Sequence, residues 1–137
     1  MRVGVTTSAD LFSELDDDGA TKLLEITEHK DFELRIVPAL NVMAAKPEEL
    51  ADQALNLMSR SSDRLRLGAV KLMTDGSIQG FTGRLKWPGY INGRENGIWN
   101  TPPQQLNHIV EIMHANGLQL TILEEPFLQH LVHKKNL

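Results

Sequence analysis

Apolar residues along the chain follow two patterns that alternate from one segment to the next. Four short segments are predicted strands, because they are rich in β-branched and apolar residues or alternate between apolar and charged residues. These segments are Val3–Thr6, Phe32–Ile36, Leu67–Met73 and Leu118–Leu123. The segments between them have apolar residues at helical spacing, so strands and helices are predicted to alternate.

Three regions carry the helical pattern. In the first, Leu11–Ile26, the run Asp16–Gly19 interrupts the spacing and predicts two helical pieces around a turn. The second helix begins at Pro47, and its apolar stripe recurs at i, i+4, i+7 and i+8 from Leu50. The third has Thr101 as its predicted N-cap and ends at Gly117, which is typical helix start and stop chemistry.

Strands that are joined by helical crossovers must run parallel, so the fold class is predicted to be α/β. About four such units fit either a small doubly wound sheet or half of an eight-stranded TIM-type barrel. The pattern alone leaves both architectures open. A half barrel leaves two parallel edge strands unpaired, so it predicts self-association or a complementary barrel fragment as partner.

A glycine-rich stretch after the third strand is the most unusual feature of the chain. Six of its ten glycines lie at positions 76, 80, 83, 89, 93 and 97. A structureless loop longer than about 15 residues is usually functional or disordered. Because parallel α/β folds carry their active groups at the carboxyl ends of strands, this loop is where chemistry is expected.

Several side chains in and before this loop are candidates for function, each with an ordinary structural alternative. Lys71 shares a strand face with Ala69 and Met73. Because the surrounding strand is apolar and predicted to be buried, Lys71 places an ammonium group in a buried strand. It suits a Schiff-base amine, a general base or a metal-ligating carbamate; alternatively it reaches the strand end or pairs with Asp75.

Asp75 is a candidate for a functional carboxylate, but Asp75–Gly76 is also a common turn dipeptide and fits an ordinary turn. Arg84, Trp87 and Tyr90 have the chemistry to clamp a substrate carboxylate and its apolar body, or else to anchor a solvated loop.

Composition narrows the function classes. The 137 residues are 41% hydrophobic and 23% charged, which is ordinary for one globular domain and excludes disorder. A net charge of −4 argues against a nucleic-acid partner. No apolar run reaches the ~18 residues of a membrane helix, so no membrane is expected. Zero cysteines, and no signal-peptide core at the start, fit a cytoplasmic location.

The histidines do not encode a metal site in any spacing that is typical of one. No His-x-His pair or His-Glu-x-x-His motif occurs among the five histidines. Glu124 and Glu125 follow the last predicted strand and suit metal ligation or acid–base work, although Pro126 makes an ordinary strand exit equally compatible. His130 and His133 are best explained as part of a solvated helix end.

Several blocks of sequence together resemble the metal-dependent amidohydrolases, in particular the branch that includes N-substituted formamide deformylase. The matching segment Val70–Ser77 contains the most specific block, Lys71–Ser77, and the resemblance extends from about residue 2 to residue 122. The supporting matches are Gly4–Thr7, Gly80, Thr82, Leu85, Pro88–Tyr90 and Ala115–Ile122. This family consists of eight-stranded barrels several times longer than the present chain, which hydrolyse C–N bonds other than peptide bonds.

The resemblance implies roles for particular residues. Lys71 matches the fourth-strand lysine that ligates metal, often as a carbamate, and the expected cofactor is a divalent metal such as zinc. Asp75 and Ser77 match the loop on the substrate side, with Asp75 the expected catalytic residue. Ser77, Arg84 and Tyr90 are then expected to bind a small-molecule substrate.

The chain also departs from the family pattern. The His-x-His of the first strand is absent, and Leu123–Pro126 stands where a histidine followed by Gly-Asp is expected. We therefore expect residues 1–122 to be a fragment of about half the barrel and 123–137 a divergent tail, with the chain inactive alone. The alternative is a small-molecule-binding α/β module without catalysis, in which Arg84 and the glycine-rich loop hold an anion.

Overall fold

A computed structural model describes residues 3–123. Its elements in chain order are β1 Thr7–Ser13, α1 Asp17–Glu28, β2 Arg35–Asn41, a 3₁₀ turn Val42–Ala44, α2 Pro47–Met58, β3 Ala69–Met73, α3 Pro103–Ala115 and β4 Leu120–Leu123. The interpretations of Glu124, Glu125, His130 and His133 and nearly all of the predicted 123–137 tail concern residues outside this range.

The four strands form one parallel sheet in the order β1-β2-β3-β4. Thr7 lies opposite Arg35, and Asn41 lies opposite Lys71. Two hydrogen bonds join the β3 and β4 segments. The N–H of Val70 donates to the carbonyl of Gln119, and the N–H of Thr74 donates to the carbonyl of Leu123. Strand order follows chain order without the reversal of a doubly wound sheet, so the predicted partial TIM-type barrel is confirmed.

The first strand lies later than its sequence pattern predicts. The prediction was Val3–Thr6, whereas β1 covers Thr7–Ser13 and includes Leu11 and Phe12, which were expected to be helical. Six of its seven residues are exposed, and its register with β2 shifts between Asp10 and Ser13. An exposed edge strand with a bulge lacks the apolar alternation from which strands are predicted.

The two helical pieces predicted around Asp16–Gly19 are one helix, α1. Asp16 is its N-cap, and the carboxylate Oδ1 accepts a hydrogen bond of 2.7 Å from the N–H of Gly19. The acidic run is therefore the beginning of the helix, where negative charge complements the helix dipole. The prediction of an interruption was wrong because Leu11 and Phe12, which lie before this run, belong to β1.

The second strand also differs from its prediction, because it continues past Pro38 to Asn41. Pro38 has no N–H to donate, yet it lies opposite Asp10 next to the bulge of β1. Pairing with β3 begins only at Ala39. The strand therefore passes through the proline at a point where little ladder bonding is lost.

The helix α2 begins at Pro47 as predicted, and Leu50, Ala54 and Leu57 of its stripe are buried. Gly68 precedes β3 in the left-handed region, with φ +89°. A Cβ there would lie 2.9 Å from the carbonyl oxygen of Ala54, so only glycine lets the chain pass α2 this closely.

The third helix begins at Pro103, so the predicted N-cap role of Thr101 is wrong. The hydroxyl of Thr101 donates instead to the carbonyl of Met73, at 2.9 Å. The predicted stop at Gly117 is correct: its φ is +67°, and the next residue, Leu118, donates its N–H to the carbonyl of Met113.

The described residues form two compact units: residues 3–72 together with Ile109–Thr121, and Met73–His108 together with Ile122 and Leu123. The first unit holds a fully buried apolar core, and its largest members are Leu50, Leu57, Leu65, Val70, Leu72, Ile109 and Met113. Each such side chain contributes roughly 1.5–3 kcal/mol to folding. None of the helices between residues 3 and 123 has the length and apolarity that crossing a membrane requires.

Candidate functional site

Lys71 lies within β3 and is buried, with 7% of its surface exposed. Its register partner on β2 is Asn41, which is 6% exposed, and partners in a parallel ladder present their side chains on the same face. Within residues 3–123 the ammonium of Lys71 makes no hydrogen bond or ion pair. The structure thus places a buried amine beside a buried amide in the first unit.

Asp75 follows β3 and starts the glycine-rich loop of the second unit. It is 4% exposed, and its carboxylate Oδ2 accepts a hydrogen bond of 2.8 Å from the N–H of Arg84. The hydroxyl of Thr74 donates to Oδ1 at 3.3 Å, and the side-chain amide of Asn100 donates to the backbone carbonyl of Asp75. This carboxylate therefore joins the start of the loop to its middle.

The glycine-rich loop has defined structure rather than open chain. An antiparallel bridge pairs Asp75 with Trp99, and the carbonyl of Thr82 accepts from the N–H groups of Gly76 and Ile98. At Gly97 a Cβ would overlap the carbonyl oxygen of Thr82. Gly76 and Gly97 thus admit close backbone contact that makes the loop compact, whereas Gly89 and Gly93 have positive φ, +79° and +75°.

Ser77, one of the residues predicted to bind substrate, caps a turn of this loop. Its hydroxyl accepts a hydrogen bond of 3.2 Å from the N–H of Gly80. Its carbonyl accepts from the N–H groups of Thr82 and Gly83 at 3.0 and 3.1 Å. The hydroxyl retains its own proton for donation to a ligand.

Arg84 and Tyr90 also bond within the loop. The Nη1 of Arg84 donates to the carbonyl of Gly97 at 3.0 Å, and the guanidinium carbon lies 5.1 Å from the ring centroid of Trp99. The hydroxyl of Tyr90 donates to the carbonyl of Gly83 at 2.8 Å. Trp87, the third residue of the proposed clamp, is 94% exposed.

Two residues that the sequence did not suggest stand out in the structure. Asn41 was missed because the predicted second strand stopped at Ile36, which hid that Asn41 ends β2. Arg94 lies with its guanidinium carbon 4.4 Å from the ring centroid of Phe81, a cation–π contact. Its spacing from Phe81 has no regular period, so no sequence signal pointed to this contact.

No group of three or more His, Cys, Asp or Glu residues in the described part of the chain is placed to hold a metal ion. A catalytic metal needs about three protein ligands. The described histidines are His29, His108 and His114. The donor set between residues 3 and 123 therefore does not by itself fit the metal that the sequence resemblance implies.

Comparison with solved structures shows which proteins share this fold. An uncharacterized metal-dependent hydrolase from Pyrococcus furiosus superposes with a TM-score of 0.60 and 22% identity, over 85% of this chain and 23% of its own. A second, from Pyrococcus horikoshii OT3, gives 0.63 and 20%, over 93% of this chain and 26% of its own. The chain therefore shares the fold of part of these two proteins.

The likeness to these hydrolases covers about a quarter of their length. At 20–22% identity, the likeness shows a shared fold and does not show a shared function. No protein-family model matches the chain, and a search of curated proteins gives no match either. Within the partial barrel, Asn41 ends β2 and Asp75 lies two residues after the end of β3, the strand positions from which parallel barrels take their active groups.

Proposed function

We propose that this chain forms part of the catalytic barrel of a metal-dependent amidohydrolase, of the branch that includes N-substituted formamide deformylase. Its substrate would be a small molecule cleaved at a C–N bond other than a peptide bond. The observation that carries the proposal is Lys71: a buried lysine without a partner in residues 3–123, on a central strand of a partial barrel. Two metal-dependent hydrolases with the same fold support it.

Lys71 is the ligand that this chain would contribute to the metal. A lysine residue that is 7% exposed and pairs with no described residue is more readily explained by a group that engages its amine than by a contribution to stability. When bound, a divalent metal such as zinc activates water and polarises a carbonyl. Because the described residues offer no complete ligand set, we propose that the remaining ligands come from other parts of the barrel.

The glycine-rich loop would supply the substrate side of the site. We propose Asp75 as the catalytic carboxylate, with its orientation fixed by the N–H of Arg84. Ser77, Arg84 and Tyr90 would bind the substrate. Their contacts within the loop hold them in place, and each retains at least one hydrogen-bonding position for a ligand.

The partner that we propose is a complementary barrel segment or a second copy of the chain. Among the strands of residues 3–123, β1 is at the edge and pairs with β2 alone, and six of its seven residues are exposed. Such an edge offers a row of unpaired N–H and carbonyl groups to another strand. We propose that the chain alone is inactive and that it acts in the cytoplasm, the latter from its lack of cysteine.

Complementation tests this function. The polypeptides encoded on either side of this chain at its own locus would be expressed and mixed with it, with zinc present, and hydrolysis of an N-substituted formamide would be measured. The proposal predicts activity in the mixture, none in either component, and loss of activity with Lys71→Met. The matched control Lys30→Met, at an exposed lysine, should keep activity.

Two outcomes would count against the proposal. Flanking reading frames without the missing histidines would remove the source of the other ligands. An active mixture that tolerates Lys71→Met would show that this lysine is not a ligand. Binding of a small anion by the chain alone, lost with Arg84→Gln, would instead favour the non-catalytic binding module.

A further inference from the structure

A cavity in the first unit lies where β1 and β2 end and α2 begins. Its volume is about 290 Å³, at the small end of the ~300–1,000 Å³ typical of ligand pockets. Its lining residues are Ser13, Glu14, Asp16, Leu40, Asn41, Ala45, Leu50 and Gln53. The volume suits a small organic molecule. The lining has a polar part, with the carboxylates of Glu14 and Asp16 and the amides of Asn41 and Gln53, and an apolar part that includes Leu40 and Leu50.

The acidic part has carboxylate oxygens available for a ligand. Glu14 makes no hydrogen bond or ion pair with another described residue. Asp16 uses Oδ1 to accept from the N–H of Gly19, so Oδ2 stays available. No lysine or arginine is among the lining residues. The nearest lysine in sequence, Lys46, directs its Nζ to Glu49, 3.5 Å from Oε1.

The amide side chains of a buried asparagine and a half-buried glutamine complete the polar part. Asn41 is 6% exposed; its Oδ1 accepts from the N–H of Met43 at 3.1 Å, and its NH₂ group has no partner in residues 3–123. Gln53 donates from Nε2 to the carbonyl of Leu15 at 2.8 Å, which joins α2 to the segment carrying both carboxylates. The wall is therefore held in place before any ligand binds, and preorganisation of this kind favours binding.

From this arrangement we infer that the cavity binds a small organic cation, an alkylammonium or alkylguanidinium. Its N–H groups would donate to the carboxylates of Glu14 and Asp16, and its short alkyl chain would contact Leu40 and Leu50. A bare metal ion fits less well, because the described residues contain no third acidic, histidine or cysteine ligand here and three of the eight lining residues are apolar. The cavity includes Asn41, the register partner of Lys71 in the candidate site, but the inference concerns binding at Glu14 and Asp16 and does not rest on hydrolysis.

Titration of the full chain with propylguanidinium, followed by calorimetry and by the side-chain amide signals in ¹⁵N NMR spectra, tests the inference. We expect saturable binding that shifts the Asn41 amide signals. Propylurea, which has nearly the same shape without the charge, should bind at least tenfold more weakly, as should butyrate. A magnesium titration is the comparison for a simple ion.

Variants locate the site. Glu14→Gln and Asp16→Asn remove charge while keeping side-chain size, and asparagine also serves as an N-cap for α1. Each should weaken propylguanidinium binding about tenfold, the effect of losing one hydrogen bond to a charged group. The control Glu25→Gln, at an exposed glutamate of α1 outside the cavity, should leave binding unchanged.

Several results would overturn the inference. These are no saturable binding of propylguanidinium, equally strong binding of propylurea, or tighter binding of magnesium than of propylguanidinium. A loss of affinity in the Glu25→Gln control as large as in the cavity variants would overturn it too. Circular dichroism and the midpoint of thermal unfolding show whether each variant is folded. If Asp16→Asn loses stability, Glu14→Gln still decides the question, because Glu14 is exposed and has no contact that folding would miss. Since binding is the readout, failure here leaves the complementation test of hydrolysis unaffected.

Discussion

Replacing Asp75 by alanine should release the glycine-rich loop from the end of β3. The buried carboxylate accepts the N–H of Arg84 at 2.8 Å across nine residues of chain, and the hydroxyl of Thr74 makes a longer bond to it at 3.3 Å. A hydrogen bond to a charged group is worth about 1.5–3 kcal/mol, and the N–H left behind is part-buried. We expect Asp75→Ala to destabilise the loop by about 2–3 kcal/mol. Asp75→Asn keeps an acceptor oxygen and should cost about 1 kcal/mol.

Hydrogen exchange of the full chain measures this effect directly. A loss of 2 kcal/mol corresponds to roughly 30-fold faster exchange through local opening, and it should be confined to residues 76–100. Asp63→Ala, at an exposed aspartate outside the loop, is the control and should leave exchange in the loop unchanged. If Asp75→Ala leaves the Arg84 amide as protected as in the wild type, or if the asparagine variant loses as much as the alanine one, the reasoning is wrong.

Three further substitutions test the packing. Gly68→Ala forces a side chain into φ +89° and within 2.9 Å of the carbonyl of Ala54, so urea unfolding should show a loss of about 2–4 kcal/mol; a loss below 1 kcal/mol would mean that α2 can move. Leu72→Ala removes a side chain with 0% exposure and should cost about 2–5 kcal/mol in the same assay, whereas a near-neutral result would contradict its burial. Gly97→Ala would overlap the carbonyl of Thr82 and should raise exchange across 76–100 while sparing α2; unchanged exchange would show that the loop is built differently.

Helix and strand order could be predicted from the sequence where the apolar pattern was dense. The stripe of α2 and the stop at Gly117 follow from local chemistry, and both are present in the structure. β1 was misplaced because an exposed edge strand has no apolar alternation. The end of β2 was missed because Pro38 is normally a strand breaker, and only its pairing partners show why it is tolerated here.

Features of the candidate site that depend on local sequence could be predicted, and those that depend on contacts between distant segments could not. The burial of Lys71 follows from the apolar strand around it, and the structure agrees. No sequence pattern indicates that Arg84 and Tyr90 bond to loop carbonyls, because those contacts depend on how glycines let the backbone approach itself. The placement of Asn41 beside Lys71 depends on the register of β2 and β3, which is set by pairing between segments about 30 residues apart.

The most direct test of the central claim is the amount of divalent metal bound by the chain after it is mixed with the polypeptides encoded beside it, measured by plasma mass spectrometry after gel filtration. Our account predicts metal bound by the wild-type mixture, and little or none by the chain alone or by the mixture with Lys71→Met, while Lys30→Met binds as the wild type does. Equal metal in the Lys71→Met mixture, or no metal in any mixture, would contradict the claim that Lys71 belongs to the metal site of an amidohydrolase barrel.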